Sequence, residues 1–233
     1  MSIGIIVDVL AIFFGGLIGA LCQDRIPEKL KVVLPMIFAA CAFSLGTNLI
    51  VKVVNLPPVV LALILGTAIG ELLDIENRIR NVSNKLQAKL QKGKAKIDEK
   101  AVEGFITILV LFSASANVFI GSLYEGITGD ATILFIKSIL DFFTAMIFAT
   151  TIGYSVMFIG IPLLVIGSTL FSLASLIMPY LSEVMIADFA AGGGIITLLV
   201  GIRMMELRKV PVANTLPSIL LTVPLSYLWT LIF

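Results

Sequence analysis

The chain has 233 residues, of which 59% are hydrophobic and only 13% are charged, and its mean hydropathy is +1.11. Soluble domains average about 25% charged residues, so the composition indicates an integral membrane protein whose first partner is the lipid bilayer. The net charge of +1, without a basic domain, argues against nucleic acid as a partner. With no histidine and two cysteines, His/Cys metal sites are excluded, and we expect no cofactor.

Apolar runs bounded by charges or turn residues predict an all-α fold, a polytopic transmembrane helix bundle of about eight spans, within a range of six to eight. The whole chain, 1–233, is expected to form a single transmembrane domain. The third and seventh spans are short, which is also typical of a broken or re-entrant helix. Only Gly153, Gly160 and Pro162 separate the fifth span from the sixth. The predicted spans are 3–22, 32–51, 57–73, 105–124, 131–156, 159–181, 189–205 and 212–233.

Basic residues predict the orientation. Fourteen of the sixteen Lys and Arg residues fall in the segments 23–31, 74–103 and 203–210, which leaves Lys52 and Lys137. By the positive-inside rule these loops are cytoplasmic, so both termini are expected outside. No Lys or Arg precedes the first apolar run, so we interpret it as a retained span and not as a secretory signal. Segment 74–103 is predicted to be a polar cytoplasmic connector that contains an amphipathic helix.

Two opposite charges lie near the middle of the fifth span. Lys137 and Asp141 have i,i+4 spacing, which places both side chains on one helix face. A charge at bilayer depth costs at least ~2.5–3.5 kcal/mol on insertion scales. Such residues therefore face a protein interior or a water-filled path. Two interpretations stay open, a structural salt bridge and a pathway for a substrate, ion or proton. Small or polar residues extend the same face: Ser138, Thr144, Ala145 and Thr151, with Leu134 before them.

Polar residues before this span are further candidates. Asp130 ends a turn of Glu125-Gly-Ile-Thr-Gly-Asp, and it either caps the next helix or marks the outer mouth of a polar path. Ser113 and Asn117 in the preceding span either form interhelical hydrogen bonds or line a hydrated gap. Asp8, in the first span, lies close enough to its outer end to reach the lipid headgroups, and it is a third ionisable candidate.

Glycines predict close helix contacts. The GxxxG pairs Gly15/Gly19 and Gly66/Gly70 are typical of helix packing or of dimerisation, so a homo-oligomer is an open alternative. Gly193 and Gly194 allow either close packing or a local unwinding of the seventh span. Similar glycine segments before Arg25, Arg78 and Arg203 also form a weak internal repeat. No hydrolase, kinase or phosphate-loop pattern is present, so we do not expect an enzyme.

The central run Glu125-Gly-Ile-Thr-Gly-Asp-Ala-Thr-Ile-Leu-Phe-Ile-Lys-Ser-Ile-Leu-Asp-Phe-Phe-Thr-Ala-Met-Ile-Phe-Ala149 resembles the YqgA-like family of bacterial inner-membrane proteins. The segments Gly15-Gly-Leu-Ile-Gly-Ala20 and Pro211-Val-Ala-Asn-Thr-Leu-Pro-Ser218 resemble it as well. The family carries a domain-of-unknown-function label and is sometimes named a permease or transporter family. The resemblance implies a multi-pass fold in the bacterial inner membrane, with no substrate attached. At Ser115-Ala116-Asn117 the chain departs from a more glycine-rich family pattern.

The leading hypothesis is a secondary transporter or permease for a small polar or charged solute, with proton coupling as an option. Lys137 and Asp141 would form the binding or gating pair, and Asp130 the entry. Ser138, Thr144, Ser113 and Asn117 would be polar residues along the path. The alternatives are a channel or pore, and a non-transporting membrane scaffold or accessory subunit.

Overall fold

A computed structural model describes residues 2–25, 27–90, 99–113 and 116–232 of the chain. The predicted all-α fold is confirmed, because the described residues form helices and contain no strand. Short 3-10 segments, Gln23–Arg25, Gly153–Ile159, Met178–Tyr180 and Val212–Thr215, adjoin the α-helices. The α-helices are α1 Ile3–Cys22, α2 Glu28–Ile50, α3 Leu56–Leu72, α4 Ile75–Leu90, α5 Glu99–Ser113, α6 Ala116–Thr128, α7 Thr132–Ile152, α8 Gly160–Ser172, α9 Ala174–Ile177, α10 Glu183–Met204 and α11 Leu216–Ile232.

The number of membrane-spanning helices differs from the expected eight. Within the described part of the chain, four stretches are long and apolar enough to cross a bilayer: Ile3–Cys22, Thr132–Ser172, Glu183–Met204 and Val212–Ile232. Two bent pairs would raise the number to six, Leu56–Leu72 with Ile75–Val82 at 54° and Val102–Phe112 with Asn117–Thr128 at 43°. A count of eight is therefore not confirmed. The option of a broken seventh span is wrong, because α10 continues through its three glycines.

Residues 75–90 of the predicted polar connector form helix α4. Helix α3 ends at Leu72, and α4 begins directly after Asp74. Asp74 has a φ of 52°, in the left-handed region, so the backbone does not continue as one helix. The backbone turns there, which accounts for the angle between α3 and α4. Residues 91–98 of the connector lie outside the described residues.

The chain reverses direction between α7 and α8. A methyl group at Gly15 would lie 2.3 Å from the carbonyl oxygen of Phe142, and one at Gly19 would lie 1.9 Å from that of Met146. Residue numbers rise together in these two contacts, so α7 runs parallel to α1. Its close backbone approach is possible only because both positions of α1 lack a side chain.

The next helix, α8, runs antiparallel to α1. Gly160, at its start, lies against Val9, whereas Gly167, two turns later, lies against Ile5. The reversal occurs in the 3-10 segment that begins at Gly153, where φ is +70°, a conformation that glycine adopts without strain. The 41-residue apolar stretch is therefore bent back on itself and is not one straight helix.

The contacts divide the chain into two compact units. The first contains α1 and α5 to α9 together with the later part of α4, and α1 and α7 are its most extensive helix pair. The second contains most of α2, then α3, α10 and α11 together with the start of α4. In the second unit α3 packs mainly on α11, which in turn packs on α10.

In the first unit, polar side chains are buried and apolar side chains are exposed, the reverse of a soluble protein. On α7 the buried face carries Lys137, Ser138 and Asp141, whereas the exposed residues between 135 and 143 are all apolar. That exposed face consists of Phe135, Ile136, Ile139, Leu140 and Phe143, each at least 42% exposed. Helix α1 likewise exposes Ile3, Val7, Leu10, Phe14, Ile18 and Leu21. Contiguous apolar surface of this kind marks a membrane-facing surface. The protein is therefore an integral membrane protein.

Candidate functional site

The two charges predicted on one face of α7 meet a third charge from α1. The Lys137 Nζ donates to Asp8 Oδ2 at 2.7 Å and also to Asp141 Oδ2, one helical turn away on α7. The three side chains are only 3%, 2% and 10% exposed for Lys137, Asp8 and Asp141. The ammonium also lies 5.5 Å from the centroid of the Phe112 ring on α5, within cation–π range. We call these three charged residues the Asp8–Lys137–Asp141 triad.

Helix packing explains why Asp8 reaches Lys137. Asp8, Ile12, Gly15 and Gly19 follow i, i+4, i+7 and i+11 spacing, so they share one face of α1. All four are buried. The glycines bring the backbone of α7 close to that face. The carboxylate of Asp8, about two turns before Gly15 on the same face of α1, then contacts Lys137. Sequence reasoning treated Asp8 as an outer-end residue, although its spacing from the glycine pair already placed it on the packing face.

The triad combines two acids with one base in a dry setting. If all three groups are ionised, the cluster has a net charge of −1. An unbalanced charge is costly in a low-dielectric interior, so the arrangement favours a balancing proton or a charged ligand. Lys137 also contacts a carboxylate on each of two helices. It can therefore keep one ion pair while it releases the other, which makes the triad a switchable contact between α1 and α7.

The hydroxyl candidates of α7 bond to their own helix. Ser138 Oγ donates to the Leu134 carbonyl at 2.7 Å, and Thr144 Oγ1 donates to the Leu140 carbonyl at 2.8 Å. Ser138 is buried beside the triad, whereas Thr144 is only half-buried and Thr151 is exposed. Such back-bonding satisfies each hydroxyl donor and leaves its oxygen free to accept.

The candidates from the preceding helices are not part of the triad. Asn117, near the start of α6, is exposed. Ser113 is the last residue of α5, and its side chain lies outside the described residues. The contact that α5 makes with the triad comes from Phe112 instead.

Asp130 lies at the exposed start of α7. Its Oδ1 accepts from the Thr132 backbone N–H at 2.9 Å and from the Thr132 hydroxyl at 2.6 Å. These bonds hold the pKa of Asp130 below its ordinary value of 3.8. Because the folded-state pKa is lowered, the contribution to stability is present above the unfolded value and disappears as pH falls through the folded one. Asp130 and Lys137 are seven positions apart in the chain, which corresponds to about 10 Å along the helix axis.

A buried carboxylate that sequence reasoning did not select closes the start of α1. Glu125, on α6, is 5% exposed. Its Oε1 accepts from the backbone N–H groups of Ile3 at 2.8 Å and Gly4 at 3.2 Å, and its Oε2 accepts from the Ser2 hydroxyl. A negative charge at a helix N-terminus is stabilised by unpaired N–H groups and by the helix dipole. Glu125 therefore fixes α6 to the first turn of α1.

Replacing Glu125 by glutamine should lower the free energy of unfolding by about 1–2 kcal/mol, because a charge-assisted acceptor of three donors becomes a neutral one. Denaturant titration of purified protein measures this change. The matched control is Glu71→Gln, since Glu71 is exposed on α3 and should change stability by less than ~0.5 kcal/mol. Equal effects of the two variants would contradict the capping role of Glu125.

The second unit contains its own buried ion pair. Arg203 Nη1, near the end of α10, lies 2.9 Å from Glu76 Oε1 at the start of α4 and also donates to the Val210 carbonyl at 3.1 Å. Glu76 Oε2 accepts from the Ala213 N–H at 3.1 Å, and the Glu76 N–H donates to Asn214 Oδ1 at 2.7 Å. Every bond here connects two chain segments, so the cluster fixes the bend after α3 to the start of α11.

Asp188 on α10 is the most enclosed acid of the second unit, at 0% exposure. Its Oδ1 accepts from the Val54 and Asn55 N–H groups at 3.0 and 2.8 Å, and its Oδ2 accepts from the Ser226 hydroxyl at 2.6 Å. Val54 and Asn55 directly precede α3, so Asp188 fixes the start of that helix much as Glu125 fixes α1. These contacts come from residues too distant in the chain to be inferred from the spacing around Asp188.

The glycine positions of the second unit lie at close contacts. A methyl group at Gly66 would lie 2.3 Å from the Ser218 backbone, and one at Gly70 would lie 1.9 Å from the Asn214 carbonyl oxygen. Residue numbers run in opposite directions, so α3 and α11 are antiparallel. A methyl group at Gly194 of α10 would lie 2.8 Å from the Gly46 carbonyl oxygen. The carbonyl of the buried Gly193 accepts a hydrogen bond from the Thr197 hydroxyl.

Comparison with known proteins places this chain in a family. The model of the family described as "Protein of unknown function (DUF554)" matches residues 3–227. The chain belongs to the DUF554 family. It is 42% identical over 231 residues to the "Uncharacterized protein YqgA" of Escherichia coli (strain K12), an alignment that covers 99% of this chain and 98% of that protein. The expected YqgA-like membership is thereby confirmed.

A second, more distant relative is named as a membrane protein. The "Uncharacterized membrane protein YdfK" of Bacillus subtilis (strain 168) is 25% identical over 224 residues, which cover 94% of this chain and 93% of that protein. No solved structure matches the DUF554 chain.

Proposed function

We propose that this DUF554 protein is a secondary transporter or permease for a small polar or charged solute, and that the Asp8–Lys137–Asp141 triad is its binding or gating element. The observation that carries the proposal is the enclosure of three ionisable side chains between helices whose outer surfaces are apolar. Ionisable residues at membrane depth are expensive and usually mark a substrate, ion or proton pathway.

The geometry of Lys137 supports a gating role. Its ammonium bonds to one carboxylate on α1 and to another on its own helix. A solute carboxylate could replace either acid at the ammonium, and a solute amine could replace the ammonium at either acid. Each exchange changes the contact between α1 and α7, so binding would shift the relative stability of two helix arrangements.

The remaining assignments belong to the same proposal. Asp130, exposed at the start of α7, would lie at the entry, and Ser138 would offer an acceptor beside the triad. The basic segments 23–31, 74–103 and 203–210 would face the cytoplasm of a bacterial inner membrane, with both termini outside.

Thermal unfolding in the presence of ligands tests this function. Purified protein would be screened against amino acids, carboxylic acids, amines, sugars and monovalent cations. A compound present at 100 times its Kd should add about 2.7 kcal/mol to the free energy of unfolding. We expect at least one class to stabilise the wild type and to lose its effect in Asp141→Asn.

Asp188→Asn is the matched control, because it removes an equally enclosed carboxylate that belongs to the second unit. The stabilising compound should still act on this variant. A compound that stabilises wild type and Asp141→Asn equally would contradict the assignment of the triad as the binding element and would favour the scaffold alternative.

A further inference from the structure

The strongest feature that the proposed function leaves unexplained is the charge balance of the triad. Asp8 and Asp141 both contact the single ammonium of Lys137. With both carboxyls ionised, one negative charge has no counterpart inside the cluster. Two carboxyl groups that share one enclosed site rarely ionise together, because burial and their mutual repulsion favour the neutral form of one of them.

One oxygen of Asp8 is also left without a partner. Asp8 Oδ2 receives the Lys137 ammonium, but Asp8 Oδ1 is fully enclosed and accepts no hydrogen bond. A carboxylate oxygen in that position would lose its hydration without compensation, which costs more for a charged group than for a neutral one. A neutral carboxyl fits this environment better than an ionised one.

The surroundings supply no other cation at the triad. Among described residues, α1 contributes Asp8 as its only charged side chain, α7 contributes Lys137 and Asp141, and α8 and the segment Gly153–Ile159 contribute none. Glu125 of α6 is bonded to the start of α1, and Glu103 of α5 pairs with Arg80 at 2.6 Å. The other titratable groups on elements packed around the triad are Cys22, Asp24 and Arg25 near the end of α1, Glu99 and Lys100 in the first turn of α5, Tyr124 on α6 and Tyr154 after α7. Lys100 lies twelve positions before Phe112 on α5, roughly 18 Å along the helix axis, so its position in the chain separates it from the triad.

We infer that the triad binds one exchangeable proton, which Asp8 and Asp141 share while Lys137 remains an ammonium. The inference rests on the proposed transport function and names its coupling ion. A proton fits better than a metal cation because the ammonium already occupies the position between the two carboxyls. In addition, the described part of the chain has no group of three Asp, Glu, Cys or His side chains that could hold a metal ion.

Release of this proton is linked to the contact between the helices. A neutral triad, with one carboxylate, one ammonium and one carboxylic acid, is compatible with the closed packing of α1 on α7. Loss of the proton restores the net negative charge, which water can stabilise only if the helices part. The proton therefore favours the closed arrangement, and a deprotonated triad favours an open one.

Infrared difference spectroscopy of the purified protein tests this directly. A protonated carboxyl has a C=O stretching band separate from that of a carboxylate, so a titration from neutral to alkaline pH should show the band disappear. Labelling with ¹³C-aspartate should shift the band. Absence of the band from wild-type protein, or a band that the label leaves unshifted, would overturn the inference even if every variant failed to fold.

Three variants assign the proton. Asp8→Asn and Asp141→Asn each leave one carboxyl for Lys137, so each triad is neutral without a proton and the band should be lost. Asp188→Asn removes an enclosed acid that does not touch the triad, and the band should remain. A band that persists in both triad variants, or that disappears in Asp188→Asn, would overturn the assignment.

The result is independent of the ligand screen. If the band behaves as expected while Asp141→Asn keeps the ligand response of wild type, the proton site stands and the proposed function fails. If the band is absent while Asp141→Asn loses the ligand response, the proposed function stands and the proton site fails.

Discussion

Replacing Lys137 by methionine is expected to lower the free energy of unfolding by about 3–5 kcal/mol. Removing one partner of a buried ion pair leaves an uncompensated charge, and costs of this size are typical. Here the same substitution leaves two carboxyls, Asp8 and Asp141, facing each other without a cation. Denaturant titration in detergent or lipid measures the change.

Two comparisons make this test specific. Lys52→Met removes an exposed lysine outside the first unit and should change stability by less than ~0.5 kcal/mol. A triple variant with Asp8→Asn, Lys137→Met and Asp141→Asn removes all three charges, and it should regain most of the lost stability because neutral replacement of a buried ion pair is often tolerated. A Lys137→Met variant as stable as wild type would show that the triad does not contribute to the free energy of unfolding.

The triad also changes how a charge swap should behave. Exchanging Lys137 and Asp141 looks conservative when only the i,i+4 pair is considered. In the structure, however, the new aspartate at position 137 would face Asp8, whose carboxylate is 2.7 Å from the present ammonium. Failure of the swap therefore does not separate a structural role from a functional one, whereas the charge-free triple variant does.

Replacing Gly19 by leucine is expected to lower the free energy of unfolding by about 3 kcal/mol or more. The first atom of any side chain there would lie 1.9 Å from the Met146 carbonyl oxygen. This obstacle is backbone and cannot rotate away, so α1 and α7 would have to separate. Overpacking a close interface typically costs about 1–3 kcal/mol, and the larger values occur where nothing can yield.

Gly192→Ala is the matched control for glycine replacement in a packed helix. Its added carbon would lie 3.2 Å from the Thr222 hydroxyl oxygen, which belongs to a side chain that can shift. The higher helix propensity of alanine then offsets much of the strain, so we expect a change within about 1 kcal/mol. If Gly19→Leu unfolds at the same denaturant concentration as wild type, the close packing of α1 on α7 is wrong.

Local spacing predicted much of the site. The i,i+4 relation of Lys137 and Asp141 placed both side chains on one face of α7, and the structure buries that face. The glycine pair Gly15/Gly19 predicted a close contact for α1. Asp8 shares the glycine face, so its position could have been predicted from the same spacing. What spacing does not contain is the identity of the partner helix, since Asp8 and Lys137 are 129 residues apart.

The contacts that fix helix ends were not predictable in the same way. Glu125 caps α1 across more than 120 residues, and Asp188 reaches Val54 and Asn55 across more than 130. Their sequence neighbourhoods, an acid near glycines and an acid near a loop, are equally typical of exposed positions. Such pairings depend on which helices become neighbours. The choice of neighbours is determined by how complete helix faces pack against each other, which the spacing within one segment does not contain.

Of the two alternatives for the glycines of the seventh span, close packing is confirmed and unwinding is wrong, for a local reason. Three consecutive glycines weaken a helix in water, but backbone groups that leave a helix inside an apolar environment lose their hydrogen bonds. Helix α10 keeps those bonds, and Gly194 is used for close contact with Gly46 instead.

Uptake by protein reconstituted in liposomes tests whether the Asp8–Lys137–Asp141 triad is needed for transport. The panel compound that stabilises the wild type would be radiolabelled, and its uptake would be compared between wild type and the charge-free triple variant at equal amounts of folded protein. We expect saturable uptake by the wild type and none by the triple variant. Equal uptake by both proteins would contradict a functional role for the Asp8–Lys137–Asp141 triad.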